Sequence, residues 1–183
     1  MKALAITSEL DRLVSGLAEQ ATEIDSASLA AFSEKLAAIF GVKSDEVAIL
    51  AVTGKGKHLR FLVPEKLKAV GSIPVNSTTA LVARTVRERR PDILNQFAGS
   101  RHASVFEGVP LGRRDGEMIQ KIMSAPIISG EKVVGVVQIS RKGRTQQEAG
   151  TDFGSGDLRT LQGLTPTLAQ FVELSHNGHS GKG

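Results

Sequence analysis

The chain has 183 residues, 40% of them hydrophobic and 23% charged, with a net charge of +4; this is the profile of a single-domain globular protein able to bury a sizeable core. It contains no cysteine, which excludes disulfides, thiolate metal sites, cysteine nucleophiles and thioether-linked cofactors. It has no Trp and no Tyr, so platforms for stacking nucleic-acid bases are scarce, and no apolar run approaches the ~18 residues that span a bilayer. The N-terminus lacks the pattern of a secretory signal, and a bacterial-type cytoplasmic setting is the expectation.

Taken in chain order, residues 1–24 read as a helix whose Leu10, Val14, Leu17, Ala21 and Ile24 form a seam with three-four spacing. That seam suits either docking on the chain's own core or contact with a second copy. Asp25-Ser26 offers a cap for a second helix, with Leu29, Phe32, Leu36, Ala37 and Phe40 on one face and a stop at Gly41. Glu46 to Thr53 is a continuous apolar strand, the pattern of a central strand covered on both faces. Gly54 to Lys57 turns into a return strand, His58 to Val63, ended by Pro64, and Lys68 to Pro74 is a weaker third strand. Asn76-Ser77 reads as the cap of a helix running to Arg90, and residues 92–95 as a short extended segment. Residues 96–116 have little periodicity, which in a compact domain marks a functional or mobile loop.

The longest legible unit follows. Ile119 to Ile128 and Val133 to Ser140 are two Ile- and Val-rich arms around Ser129-Gly130-Glu131-Lys132, the signature of a hairpin. A polar loop leads to a last helical region from Ser155 or Asp157, in which Pro166 predicts a kink or a division into two helices. The domain plan is an N-terminal helix over 1–25, the main domain over 26–174 and a disordered tail over 175–183. Hairpin-linked strands between terminal helices predict an α+β antiparallel sheet with helices packed on it.

Three stretches carry a resemblance to the GAF domain family: TTALVARTVRERRPDILN after Asn76, SAPIISGEKVVGVVQIS in the hairpin, and TDFGSGDLRTLQGLTPTLAQFVEL at the end. The resemblance implies a five- or six-stranded antiparallel sheet, with helices from both termini on one face and a loop-covered ligand pocket on the other. It implies a non-enzymatic, small-molecule-sensing and dimerising signalling module. The alternatives are a ligand-free interaction scaffold or a small enzyme that works without cysteine. Family ligands include cyclic nucleotides, bilins, haem, amino acids and metabolites. Covalent bilin attachment and free methionine sulfoxide reduction need cysteines that this chain lacks, and no convincing cyclic-nucleotide signature is present. No cofactor is called for.

The loop from Asn95 to Gly116 would lie over the pocket and offers Asn95, Phe97, Arg101, His102 and Phe106, with Arg113 and Arg114 beyond. Arginine can hold a carboxylate or phosphate through paired hydrogen bonds, so a small anionic ligand is expected. On the hairpin, Met123 and Ser124 point to opposite faces, and the sequence leaves open which faces the pocket. Met123 suits the core, yet is a candidate pocket residue. Gln138 interrupts an apolar run and must find a partner if buried, which makes it another candidate. Arg84, Arg87, Arg89 and Arg90, with Arg141, Lys142 and Arg144, could in principle meet phosphates, but a charge run on a helix is usually a solvated face. Nucleic acid and membrane are not expected partners; a small molecule, a second copy bound through the terminal helices and a signalling partner protein are.

Overall fold

The structure, a computed structural model, describes residues 2–20, 24–99 and 116–177. Four helices, α1 (Lys2–Gln20), α2 (Ser26–Phe40), α3 (Leu81–Glu88) and α4 (Ser155–Asn177), accompany six strands, β1 (Val47–Thr53), β2 (His58–Val63), β3 (Ser72–Pro74), β4 (Asp92–Leu94), β5 (Met118–Ser129) and β6 (Lys132–Gly143). The strands form one open sheet in the order β3-β2-β1-β6-β5-β4, every neighbouring pair antiparallel.

The hairpin of β5 and β6 is the spine. Ser129 pairs with Lys132 across a two-residue turn, and Gly130 supplies the positive φ (59°) that such a turn favours at its first position. Gly135 of β6 has a different role. A Cβ there would stand 2.5 Å from the Leu50 carbonyl of β1, so only glycine permits this approach. The Gly-Val-rich strand in the sequence is therefore a packing requirement of the β1–β6 pairing.

Both faces of the sheet are buried, which explains the unbroken apolar runs. One face, with Val47, Ile49, Ala51, Met123, Ala125, Ile127, Val137 and Ile139, packs against α1, α2 and α4. Phe32 of α2 and Phe171 of α4 stack there at 4.1 Å between ring centroids. Leu10 and Val14 of α1 are fully buried in the same core, so this part of the N-terminal seam docks on the chain's own domain. Ala21 of that seam lies outside the described residues. The other face, with Leu50, Leu59, Phe61, Ile122 and Val136, packs against α3, Leu67 and Phe97.

Local chemistry sets the helix limits. Asp25 caps α2 by accepting from the Ser28 backbone N–H at 2.8 Å, and Gly41 closes it with its N–H donating to the Ala37 carbonyl. Three boundaries differ from those read in the sequence. The third helix starts at Leu81, four residues after Ser77, because Ser77 Oγ accepts from Ala80 N–H in the turn ahead of it while Arg87 donates to the Val75 and Ser77 carbonyls at 2.7 Å each. The last helix continues through Pro166 as one element, where a kink or a division into two helices was expected. Proline cannot donate to the Gln162 carbonyl, but the Thr165 hydroxyl does so at 2.7 Å, and burial of Leu161, Leu164, Leu168, Phe171 and Val172 holds both halves on the sheet. Ser175, His176 and Asn177, assigned to a disordered tail, form the final turn of α4, with Ser175 Oγ donating to the Val172 carbonyl at 2.6 Å.

Candidate functional site: the sheet face away from the terminal helices

The hairpin alternation resolves the choice that the sequence left open. Met123 points into the helix-side core and is fully buried there, while Ser124 and Ile122 face the other side. Met123 is therefore a core residue, and its candidacy as a pocket residue is withdrawn. Gln138, directly across from Ser124, lies on the face away from the terminal helices, 2% exposed.

A directed hydrogen-bond chain crosses that face. Thr85 Oγ1 donates to the Leu81 carbonyl at 3.0 Å. Its single proton is thus spent, so in the 2.7 Å contact between Thr85 and Ser124 the serine is the donor. Ser124 can then only accept from Gln138, whose Nε2 stands at 3.1 Å. This fixes the amide orientation: Gln138 turns its nitrogen to Ser124 and its carbonyl oxygen away. Among the described residues no donor meets that oxygen.

Gln138 lines a small concavity with Phe61, Leu67, Ile122, Ser140 and Lys142, and the described residues leave about 30 Å³ there, enough for a water molecule. Other polar groups at its rim are engaged. Glu46, 7% exposed, accepts from the backbone N–H of Lys43 at 2.8 Å and of Lys142 at 2.7 Å. Ser140 Oγ donates to the Glu46 carbonyl at 3.1 Å, and Lys142 Nζ to the Asp45 carbonyl at 2.7 Å. Asp45, also in the lining, accepts from Lys142 Nζ through its carboxylate at 3.2 Å, and the Gln138 oxygen has no donor among the described residues.

The remaining sequence candidates separate. Asn95 is committed elsewhere: its side chain donates to the Phe153 carbonyl at 3.0 Å and accepts from the Phe153 N–H at 2.9 Å. It latches the end of β4 to the segment before α4, and both ends of its amide are used, so it is corrected from ligand contact to structural bridge. Phe97, 1% exposed, fills the core against Leu50 and Ile122. Arg101, His102, Phe106, Arg113 and Arg114 lie outside the described residues.

The arginine run does not assemble a phosphate patch. Arg84 pairs with Asp92, Arg90 with Glu88 at 2.7 Å, and Arg89 donates to the Glu131 carbonyl at 2.6 Å. Arg141 turns to the helix side, where it stacks over Phe153 at 4.7 Å and donates to the Phe40 carbonyl at 3.2 Å. Sequence reasoning missed Thr85 and left open whether Ser124 faces this side; a hydroxyl at an otherwise apolar helix position was the available signal for Thr85.

An open six-stranded antiparallel sheet, sandwiched between terminal helices and a smaller layer with a polar-studded concavity, makes this an α+β fold. The chain belongs to the GAF domain family, whose model matches residues 7–173. Among solved structures it is similar to the GAF domain of an Acinetobacter phosphoenolpyruvate-protein phosphotransferase, with 16% identity, TM-score 0.66 and 98% of each chain covered. It is similar to the A. aeolicus nlh2 GAF domain in an inactive state, with 15% identity, TM-score 0.63, and 94% of this chain and 96% of that one covered. A third is free methionine-R-sulfoxide reductase from Neisseria meningitidis in complex with its substrate, with 17% identity, TM-score 0.58, and 96% of this chain and 93% of that one covered. At these identities the likeness speaks for the fold alone. No curated protein matches the sequence.

Proposed function

We propose that this chain is a small-molecule-sensing and dimerising signalling module that binds its ligand on the sheet face lined by Gln138, without turnover. The observation that carries this reading is the outward carbonyl of Gln138. That oxygen faces the concavity with no donor among the described residues, and a ligand N–H or O–H supplies one. Phe61, Leu67 and Ile122 offer the apolar surface around it. The involvement of Arg101, His102 and Phe106, and the preference for a small anion, rest on the sequence alone. A cytoplasmic setting is proposed on the same basis; no described helix is long and apolar enough to cross a membrane.

Binding rather than catalysis is favoured by the sequence and by the rim. Without cysteine the chain cannot run thiol-based reduction. The titratable groups beside the concavity, Asp45, Glu46 and Lys142, are engaged with one another or with backbone: Glu46 accepts from the Lys142 N–H, and Lys142 Nζ donates to the Asp45 carbonyl and pairs with its carboxylate at 3.2 Å. Dimerisation would use the exposed sides of α1 and α4, since Leu10 and Val14 are spent within the protomer. A second reading, a ligand-free interaction scaffold, draws on the small size of the concavity, about 30 Å³.

A thermal-shift screen against a metabolite panel separates the two. For a sensor, at least one compound at a hundred times its Kd stabilises the wild type by about 2.7 kcal/mol, roughly 5–10 °C for a domain of this size, and Gln138→Leu loses the shift. No shift with any compound favours the scaffold.

A further inference from the structure

A second cleft lies on the opposite side of the sheet from Gln138. It measures about 340 Å³, at the lower end of small-molecule sites. It opens where the start of α2 and the last turn of α4 meet β1 and β2. Ile24, Leu29, Ala51 and Leu62 form aliphatic walls, and Arg60 and Lys68 stand at its mouth. Among the described residues no Asp or Glu lines it. Arg60 is exposed and forms no ion pair with a described carboxylate. Lys68 has only Glu65 at 3.8 Å, a contact between exposed groups of little energetic weight. Glu65 is itself held towards α2 by Ser26 Oγ at 2.8 Å.

We propose that this cleft is a second binding site, for a small linear monocarboxylate with an aliphatic tail. The chemistry is read from the walls and the mouth. Aliphatic side chains reward burial of methylenes, and a guanidinium with no carboxylate partner among the described residues rewards a carboxylate head. Ser175 and His176 of α4 complete the lining. A ligand seated here touches α2 and α4 together, so it bears directly on how the terminal helices lie on the sheet. The site is independent of the Gln138 face, and either can fail without the other.

The test is methyl-resolved NMR titration of the full chain with butanoate, hexanoate, octanoate and octan-1-ol. Ile24, Leu29 and Leu62 report on the cleft, and Leu67 and Ile122 on the opposite face. Saturable shifts confined to the first group are expected, with affinity rising about fourfold per added methylene until the cleft is full. Octan-1-ol should bind about tenfold more weakly than octanoate, and Arg60→Met should cost octanoate a similar factor. Arg60 is exposed, so that variant should fold normally. Thr53→Leu, which adds bulk to the lining, is a second variant that should block octanoate while leaving the Leu67 and Ile122 signals in place. Absence of saturable shifts at Ile24, Leu29 and Leu62 overturns the proposal. So does equal affinity for octanoate and octan-1-ol, or an Arg60→Met protein that binds octanoate as tightly as the wild type.

Discussion

The relay from Gln138 through Ser124 to Thr85 makes an asymmetric prediction about stability. Ser124→Ala removes the middle of the chain and leaves the Gln138 nitrogen, in a side chain 2% exposed, with no acceptor. An orphaned buried donor costs about 1–3 kcal/mol. Gln138→Leu removes donor and outward oxygen together and places methyl groups beside Phe61 and Ile122, so it should stay within about 1 kcal/mol of the wild type. The double variant no longer contains the orphan. Its cost should fall about 1 kcal/mol or more short of the sum of the singles, as neighbouring members of one network couple. Urea unfolding followed by far-UV circular dichroism, with the slope unchanged across the four proteins, measures all three quantities. Strict additivity, or a Gln138→Leu protein less stable than Ser124→Ala, would refute the assigned direction of the relay.

Three further outcomes are expected. Phe171→Ala empties a fully buried position stacked on Phe32 and should cost about 3–5 kcal/mol by the same unfolding assay. Asn95→Ala should raise hydrogen exchange at the Phe153 amide and at the first turn of α4 without speeding exchange in β5, since it cuts both bonds of the latch and touches nothing in the hairpin. Hydrogen bonding from Ser28 holds the Asp25 carboxyl below its ordinary 3.8. A carboxylate lowered on folding stabilises fully above its unfolded value and loses that contribution as pH falls through the folded one. Asp25→Asn keeps a capping acceptor but does not titrate, so an acid titration of stability below pH 3.8 should be flatter in the variant.

What the sequence made legible was local or periodic. The hairpin followed from two apolar arms around Ser-Gly, and α2 followed from an Asp cap, a helical stripe and a closing Gly. Gln138 was readable because a polar residue in an apolar run must be answered by something. The face assignment of Met123 and Ser124 was not readable. Both sides of this strand are buried, so the apolar run carries no alternation, and only the neighbours on each side decide. Asn95 was misread for a related reason, since its partner Phe153 lies 58 residues away and nothing near Asn95 announces it. The start of α3 was misplaced because Ser77 does cap, but it caps a turn that long-range bonds from Arg87 hold outside the helix. At Pro166 the local rule was overridden by a neighbouring hydroxyl and by burial along the whole helix.

The central claim, a small molecule held at the Gln138 face, is tested most directly by native mass spectrometry. Wild type and Gln138→Leu would each be incubated in clarified bacterial extract, repurified without denaturation and weighed intact. A defined extra mass on the wild type, reduced or lost on the variant, is the expected result, and it would give the ligand's mass directly. A bare wild-type protein, or the same mass retained equally by both, would contradict the claim.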